Sequence, residues 1–187
     1  LATDQEVLGS TPSRRAKKNE NIFRKISYIF FYYSTSNFNF NNNIHIMKKK
    51  FEQLSIKPGF MKHNGGLLFK EISKNQYEFK TKINKNHLNK AGITHGGYIA
   101  SIIDAGAGTG AHRSTNGQSC VTISLDIKFI GPTRLGDEVN GFTKIQKITK
   151  SMVFLNCYLE SKGKLIATAS GIWKILKKSL PNAGFGG

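Results

Sequence analysis

The chain has 187 residues, of which 39% are hydrophobic, and a formal net charge of +17. That length suits one domain with an extension and excludes a large multidomain assembly. The basic balance points to an anionic partner. The lysines, however, are scattered (Lys48 to Lys50, Lys80, Lys82, Lys85, Lys144, Lys147, Lys150). No basic run is interleaved with aromatics as a nucleic-acid motif would be, so the surface reads as a solvated one.

Residues 1–46 contain a polar stretch and then an apolar run, Ile26 to Tyr33. Eight residues fall far short of the roughly 20 needed to span a bilayer. Basic residues before a short apolar run resemble a signal peptide, but an Asn-rich tract follows where small residues would mark a cleavage site. The expectation is that 1–46 is a disordered or wrongly assigned extension, with translation starting at Met47. A domain is expected over 47–178 and a flexible tail over 179–187.

From Met47 the pattern is orderly. Lys48 to Leu54 is expected to form a short helix ending before Pro58. The segments starting at Gly65 and ending at Ile83 read as two strands joined by a turn at Lys74-Asn75. Asn84 to Thr94 is a polar loop. After His95, Ile99, Ile102 and Ile103 share one helical face with Ala100, Ala107 and Ala111 nearby, which predicts one long helix. Residues 119–131 predict a strand in which Val121, Ile123, Leu125, Ile127 and Phe129 form one covered face. Asp137 to Thr149, Met152 to Ser161 and Lys164 to Leu176 supply three more strands.

Helix and strands do not alternate, so a doubly wound parallel sheet is disfavoured. The pattern fits an α+β fold in which one helix is wrapped by a largely antiparallel sheet of about six strands. One helix does not cover so broad a sheet, which makes pairing with a second copy the natural completion. Cys120 and Cys157 show no metal-ligand spacing and fall in strand-like segments, as buried reduced thiols do; that favours a cytoplasmic setting.

The segment HLNKAGITHGGYIASIID, His87 to Asp104, resembles the signature of the PaaI-type thioesterases of the hot-dog superfamily. The matching positions are Asn89, Gly92, His95-Gly96-Gly97 and Asp104, with FIGPTRLGDEV from Phe129 as a second matching segment. The likeness runs from about Gly59 to Leu176. It implies a hot-dog fold and hydrolysis of an acyl-CoA thioester to a free acid and CoA. It also implies a homodimer or homotetramer and no organic cofactor or metal. It assigns the Gly96 N–H, assisted by the Asn89 amide, to polarising the thioester carbonyl. Asp104 is assigned as general base or nucleophile, and Thr122 as a hydroxyl that orients water.

The residues give physical grounds for these roles. Free N–H groups at a helix start carry partial positive charge, and glycines there admit a close carbonyl. Asp104 lies roughly 13 Å along the helix from His95 at 1.5 Å per residue, too far to serve a carbonyl held at its own helix start. The mismatch resolves if Asp104 acts on substrate bound by a neighbouring subunit. His95 is expected to brace the loop and polarise rather than act as base. Gly97, Arg113, Lys128 and Arg134 are candidate substrate contacts, the last three for phosphates.

The alternative is a non-catalytic acyl-CoA-binding module of the same fold, which retention of both Asn89 and Asp104 disfavours. Gly106 to Ala111 matches GxGxxA with Asp126 at the distance of a ribose-binding acid, but no strand precedes it and no full helix follows. His-Gly-Gly also occurs in serine esterases, yet no GxSxG nucleophile elbow is present.

Overall fold

The computed structural model describes residues 50–177. The expected extension over 1–46, Met47 and the tail over 179–187 lie outside the described residues. In chain order the elements are β1 (Glu52–Gln53), α1 (Phe60–His63), β2 (Leu68–Ser73), β3 (Gln76–Lys82), a 3-10 turn (Lys85–His87), α2 (Gly96–Ser114), β4 (Cys120–Phe129), β5 (Glu138–Ile148), β6 (Met152–Ser161) and β7 (Lys164–Ile175). The strands form one antiparallel sheet in the order β1-β2-β3-β5-β6-β7-β4.

The sheet wraps α2. Ile99, Ile102, Ile103, Ala107 and Ala111 of the helix are buried against Phe69, Phe79, Val153, Leu159 and Trp173 of the strands. Full burial of each isoleucine contributes about 1.5–3 kcal/mol. The glycines within α2 permit this close approach. A Cβ on Gly106 would sit 2.5 Å from the Phe79 ring, and one on Gly110 would sit 3.0 Å from Tyr77. On the other side of Phe79, a Cβ at Gly141 of β5 would overlap the same ring. The Gly106–Ala111 run is therefore a packing groove inside a helix, with Phe79 seated in it.

Two expectations are corrected. Of the expected helix from Lys48 to Leu54, the described part is extended, with Glu52 and Gln53 pairing with Phe69 and Leu68. The helical turn comes after Pro58, where Met61 is buried. The second correction concerns β4. Thr122 pairs with Trp173 and Ser124 with Ile172, which leaves Ile123 as an extra residue in a bulge. The bulge switches the inward-facing set from Cys120 and Thr122 to Leu125, Ile127 and Phe129. Val121 and Ile123 are exposed, at 36% and 56%, rather than sharing the covered face. β4 also lies at the sheet's edge, beyond β7.

Candidate active site

The start of α2 is built by a small hairpin in the loop before it. The His95 N–H donates to the His87 carbonyl at 2.7 Å and the Asn89 N–H to the Ile93 carbonyl at 2.8 Å. Leu88 and Thr94 form the bridge between them. Gly92, at φ +71°, turns the tip. The Asn89 Oδ1 accepts the N–H groups of Ala91 at 2.9 Å and Ile93 at 3.4 Å. With the oxygen committed to the loop, the amide nitrogen is the end of Asn89 that has hydrogen-bond donors to offer.

His95 is the N-cap of α2, and its Nδ1 accepts the Gly97 N–H at 2.9 Å. That bond places the ring proton on Nε2. It also commits the Gly97 N–H to the protein, and a Cβ at Gly97 would lie 3.0 Å from Nδ1. Gly96, the first helical residue, presents an N–H that the helix geometry leaves without an intrahelical acceptor. The exposed Phe129 ring stands beside it, 3.5 Å from where a Gly96 Cβ would be. A second loop holds this frame: the Thr94 N–H donates to the Thr133 carbonyl at 2.8 Å, and the Thr133 hydroxyl donates to Thr94 Oγ1 at 2.7 Å.

Two turns along α2, the exposed Asp104 carboxylate accepts a 2.7 Å hydrogen bond from the Thr122 hydroxyl on β4. The β4 bulge is what turns Thr122 towards the helix. One carboxylate oxygen is thereby fixed and the other is left to act. Gly96 and Asp104 are eight residues apart, which is about 12 Å along the axis. Within one protomer the structure thus brings together Asn89, His95 and Gly96 as one group, and Asp104 with Thr122 as another.

The candidate phosphate contacts are placed differently. Arg113 is about 26 Å along the helix from Gly96, and its guanidinium is 2.7 Å from Glu52. Lys128 faces away from the helix and pairs with Asp126. Arg134 lies on the loop that pins Thr94, where its N–H donates to Asp137 at 2.9 Å. Asp137 is held below the usual carboxylate range by its hydrogen bonds from Lys162 and from that amide. Among the described residues no group of three or more His, Cys, Asp or Glu side chains is placed to hold a metal ion, and no helix is long and apolar enough to cross a membrane.

Sequence reasoning passed over His87. It is buried and stacked on Tyr98 with ring centroids 3.6 Å apart. Its position in a polar turn, between Asn86 and Leu88, carried no apolar periodicity to reveal it. Phe129 was read as a core residue of β4, not as a neighbour of Gly96.

One helix in a wrapping antiparallel sheet, with a glycine-lined helix start and a carboxylate two turns on, defines a hot-dog thioesterase. The family model described as Thioesterase superfamily matches residues 91–167. The esterase-like protein PA0474 of Pseudomonas aeruginosa is 30% identical over 112 residues, 59% of this chain and 84% of its own. Acyl-coenzyme A thioesterase 13 of Mus musculus is 31% identical over 88 residues, 46% of this chain and 63% of its own. Among solved structures, zebrafish thioesterase superfamily member 2 superposes with a TM-score of 0.60 at 21% identity, covering 65% of this chain and 89% of its own. The E. coli PaaI protein from the phenylacetic acid degradation operon superposes at 0.55 and 17% identity, covering 64% and 86%. The chain belongs to the thioesterase superfamily.

Proposed function

We propose that this protein hydrolyses an acyl-CoA thioester to a carboxylic acid and CoA, at sites shared between two copies of the chain. The observation that carries the reading is the pairing of Asp104 with Thr122 at 2.7 Å on the same helix whose start presents the Gly96 amide. The acyl-CoA substrate is supported by the name of the mouse relative.

The thioester carbonyl oxygen would take hydrogen bonds from the Gly96 N–H and the Asn89 amide, aligned with the positive end of α2. Water adds to the carbonyl carbon as the Asp104 carboxylate accepts its proton; the C–S bond then breaks and CoA leaves as the thiol after taking up a proton. In the nucleophilic variant the free Asp104 oxygen itself attacks, and water then cleaves the anhydride. Label retained in Asp104 after a single turnover in ¹⁸O-water would establish the second route, with water opening the anhydride at the Asp104 carboxyl carbon. In this reading His95, with its proton on Nε2, braces the loop and donates towards the oxygen or sulfur.

Sharing between copies is supported by distance. The 12 Å between Gly96 and Asp104 closes if a two-fold axis passes near Ala100, which sets each Gly96 opposite the other copy's Asp104. Exposed Val121 and Ile123 on the edge strand β4 supply apolar surface for such pairing. A cytoplasmic protein working without nucleic acid or membrane is part of this reading.

The test is CoA release from a panel of acyl-CoAs, followed with a thiol-trapping reagent. Replacing Asp104 by Ala should lower kcat by about 100-fold or more. Turnover unchanged in Asp104→Ala would overturn the mechanism. Acyl-CoA binding with no turnover in the unsubstituted chain would establish the non-catalytic module instead.

A further inference from the structure

The carbonyl-binding frame at the start of α2 rests on a buried histidine outside the reacting groups. His87 closes the 3-10 turn after β3. Its Nδ1 accepts the Asn84 N–H at 3.1 Å, which completes a capping box in which the Asn84 side chain accepts from Asn86 at 2.9 Å. With Nδ1 an acceptor, Nε2 carries the proton and donates to the Asn64 carbonyl at 3.1 Å. Asn64 is the C-cap of α1, and its carbonyl also accepts from the Tyr98 hydroxyl at 3.3 Å. Tyr98 lies in the first turn of α2, stacks on the His87 ring and shares its hydroxyl with Thr81 of β3 at 3.2 Å. The same histidine's backbone carbonyl receives the His95 N–H at 2.7 Å, one residue before Gly96.

Each polar atom of His87 therefore has one partner of one polarity. The ring ties the turn to α1 and to Tyr98, and the carbonyl carries that position to the N-cap of the catalytic helix. We propose that His87 is a positioning residue for the thioester carbonyl site, a strut that sets the aim of the Gly96 amide only while its Nδ1 is unprotonated. A proton on Nδ1 would face the Asn84 N–H, donor against donor, and loosen the hairpin that carries Asn89 and His95.

The surroundings offer the protonated ring little compensation. The titratable or charged groups on the adjoining elements are Tyr98, Asp104, His112 and Arg113 on α2 with His95 at its N-cap, Lys62 and His63 on α1, Tyr77, Glu78, Lys80 and Lys82 on β3, and Lys85 on the turn itself. Of the carboxylates among them, Glu78 pairs with Lys70 at 2.6 Å and Asp104 accepts from Thr122 at 2.7 Å. The carboxylate of the loop bonded to Ile83 is Asp137, which is engaged by Lys162 at 2.6 Å. Burial accordingly pushes the His87 ring below its ordinary value, against a smaller opposing effect of the Asn64 carbonyl. The neutral strut thus persists through the neutral pH range and fails on the acid side.

This inference rests on the thioesterase reading, which the unsubstituted chain and Asp104→Ala establish first with an acyl-CoA. Steady-state kinetics of His87→Gln and His87→Ala are then compared, corrected for the folded fraction by circular dichroism. Glutamine keeps a donor for Asn64 without a titrating ring. The expected result is a fall in kcat of about 10–100-fold for alanine with KM changed by less than about 3-fold, as removal of transition-state alignment predicts. Glutamine should recover part of the loss, and the acid limb of its kcat profile should move to lower pH. A purely structural histidine would lower stability and leave kcat per folded molecule and the acid limb where they were; that outcome overturns the proposal. Should neither variant fold, ring ¹⁵N shifts of the unsubstituted protein give the tautomer and the protonation midpoint of His87. A midpoint coinciding with an inflection in kcat supports the strut; one that matches no inflection, or an Nδ1–H tautomer, refutes it.

Discussion

If the two halves of each site come from different chains, two inactive variants should restore each other. Asn89→Ala removes a donor from the carbonyl half, at a cost of about 100-fold or more in kcat. Asp104→Ala removes the base, at a similar cost. In a random mixture of the two chains, half of all loops retain Asn89 and half of all helices retain Asp104. A site drawn from two chains is then intact in about one case in four, whatever the number of subunits in the assembly. Co-expression of the two variants at equal levels should therefore give about a quarter of the unsubstituted activity, more than 20 times that of either parent. The 12 Å between Gly96 and Asp104 in one protomer is the basis: a site assembled within one chain would carry one lesion or the other in every copy. Recovery no greater than the average of the parents would place Asp104 at its own helix start and refute the two-chain site.

Thr122→Ala removes the 2.7 Å bond to Asp104 and should lower kcat by about 5–30-fold, equivalent to about 1–2 kcal/mol, with little change in KM; stopped-flow CoA release checks this. Gly106→Val forces side-chain atoms into Phe79 and should destabilise the fold by about 1–3 kcal/mol, read from the urea midpoint. Arg113→Ala breaks an exposed pair with Glu52 and should cost under about 1 kcal/mol; a rise in KM for CoA esters in that variant would instead mark Arg113 as a phosphate contact. The Cys157 thiol is pushed up to about 12 by burial. Its neutral form stabilises the fold below the ordinary thiol range, and that contribution is lost as pH rises towards 12, so Cys157 should resist iodoacetamide at pH 8 until the chain is unfolded.

The strands from β2 onward were legible because each alternates or is bounded by a turn, and the helix because its isoleucines recur at helical spacing. The β4 faces were not legible. Val121 and Ile123 keep the period of Leu125 and Ile127, yet one bulged residue reverses the phase, and no single side chain announces it. Lys48 to Leu54 had the composition of a helix, but the edge of β2 offered Glu52 and Gln53 backbone partners that local propensity does not register. In the candidate site, Asn89, His95, Gly96 and Asp104 were named because their spacing resembles the thioesterase signature. The division of labour among them could not be read that way: that His95 occupies the Gly97 amide, and that Asn89 spends its oxygen on its own loop, are facts of side-chain geometry. His87 escaped notice because a buried histidine in a polar turn has no periodicity; its importance appears only with Asn64 and Tyr98 beside it.

The place of β4 in the sheet separates what the two halves of the proposed site depend on. Among the described residues β4 hydrogen-bonds to β7, the last strand, and to no earlier one. The strand pairing that holds Thr122 beside Asp104 is therefore supplied by residues 164–175. The carbonyl-binding loop needs no residue beyond Thr133, which holds Thr94 through the 2.8 Å and 2.7 Å bonds. Of the two halves of the proposed site, the carboxylate is thus the one whose guide depends on the pairing of the two sequence-distant strands β4 and β7.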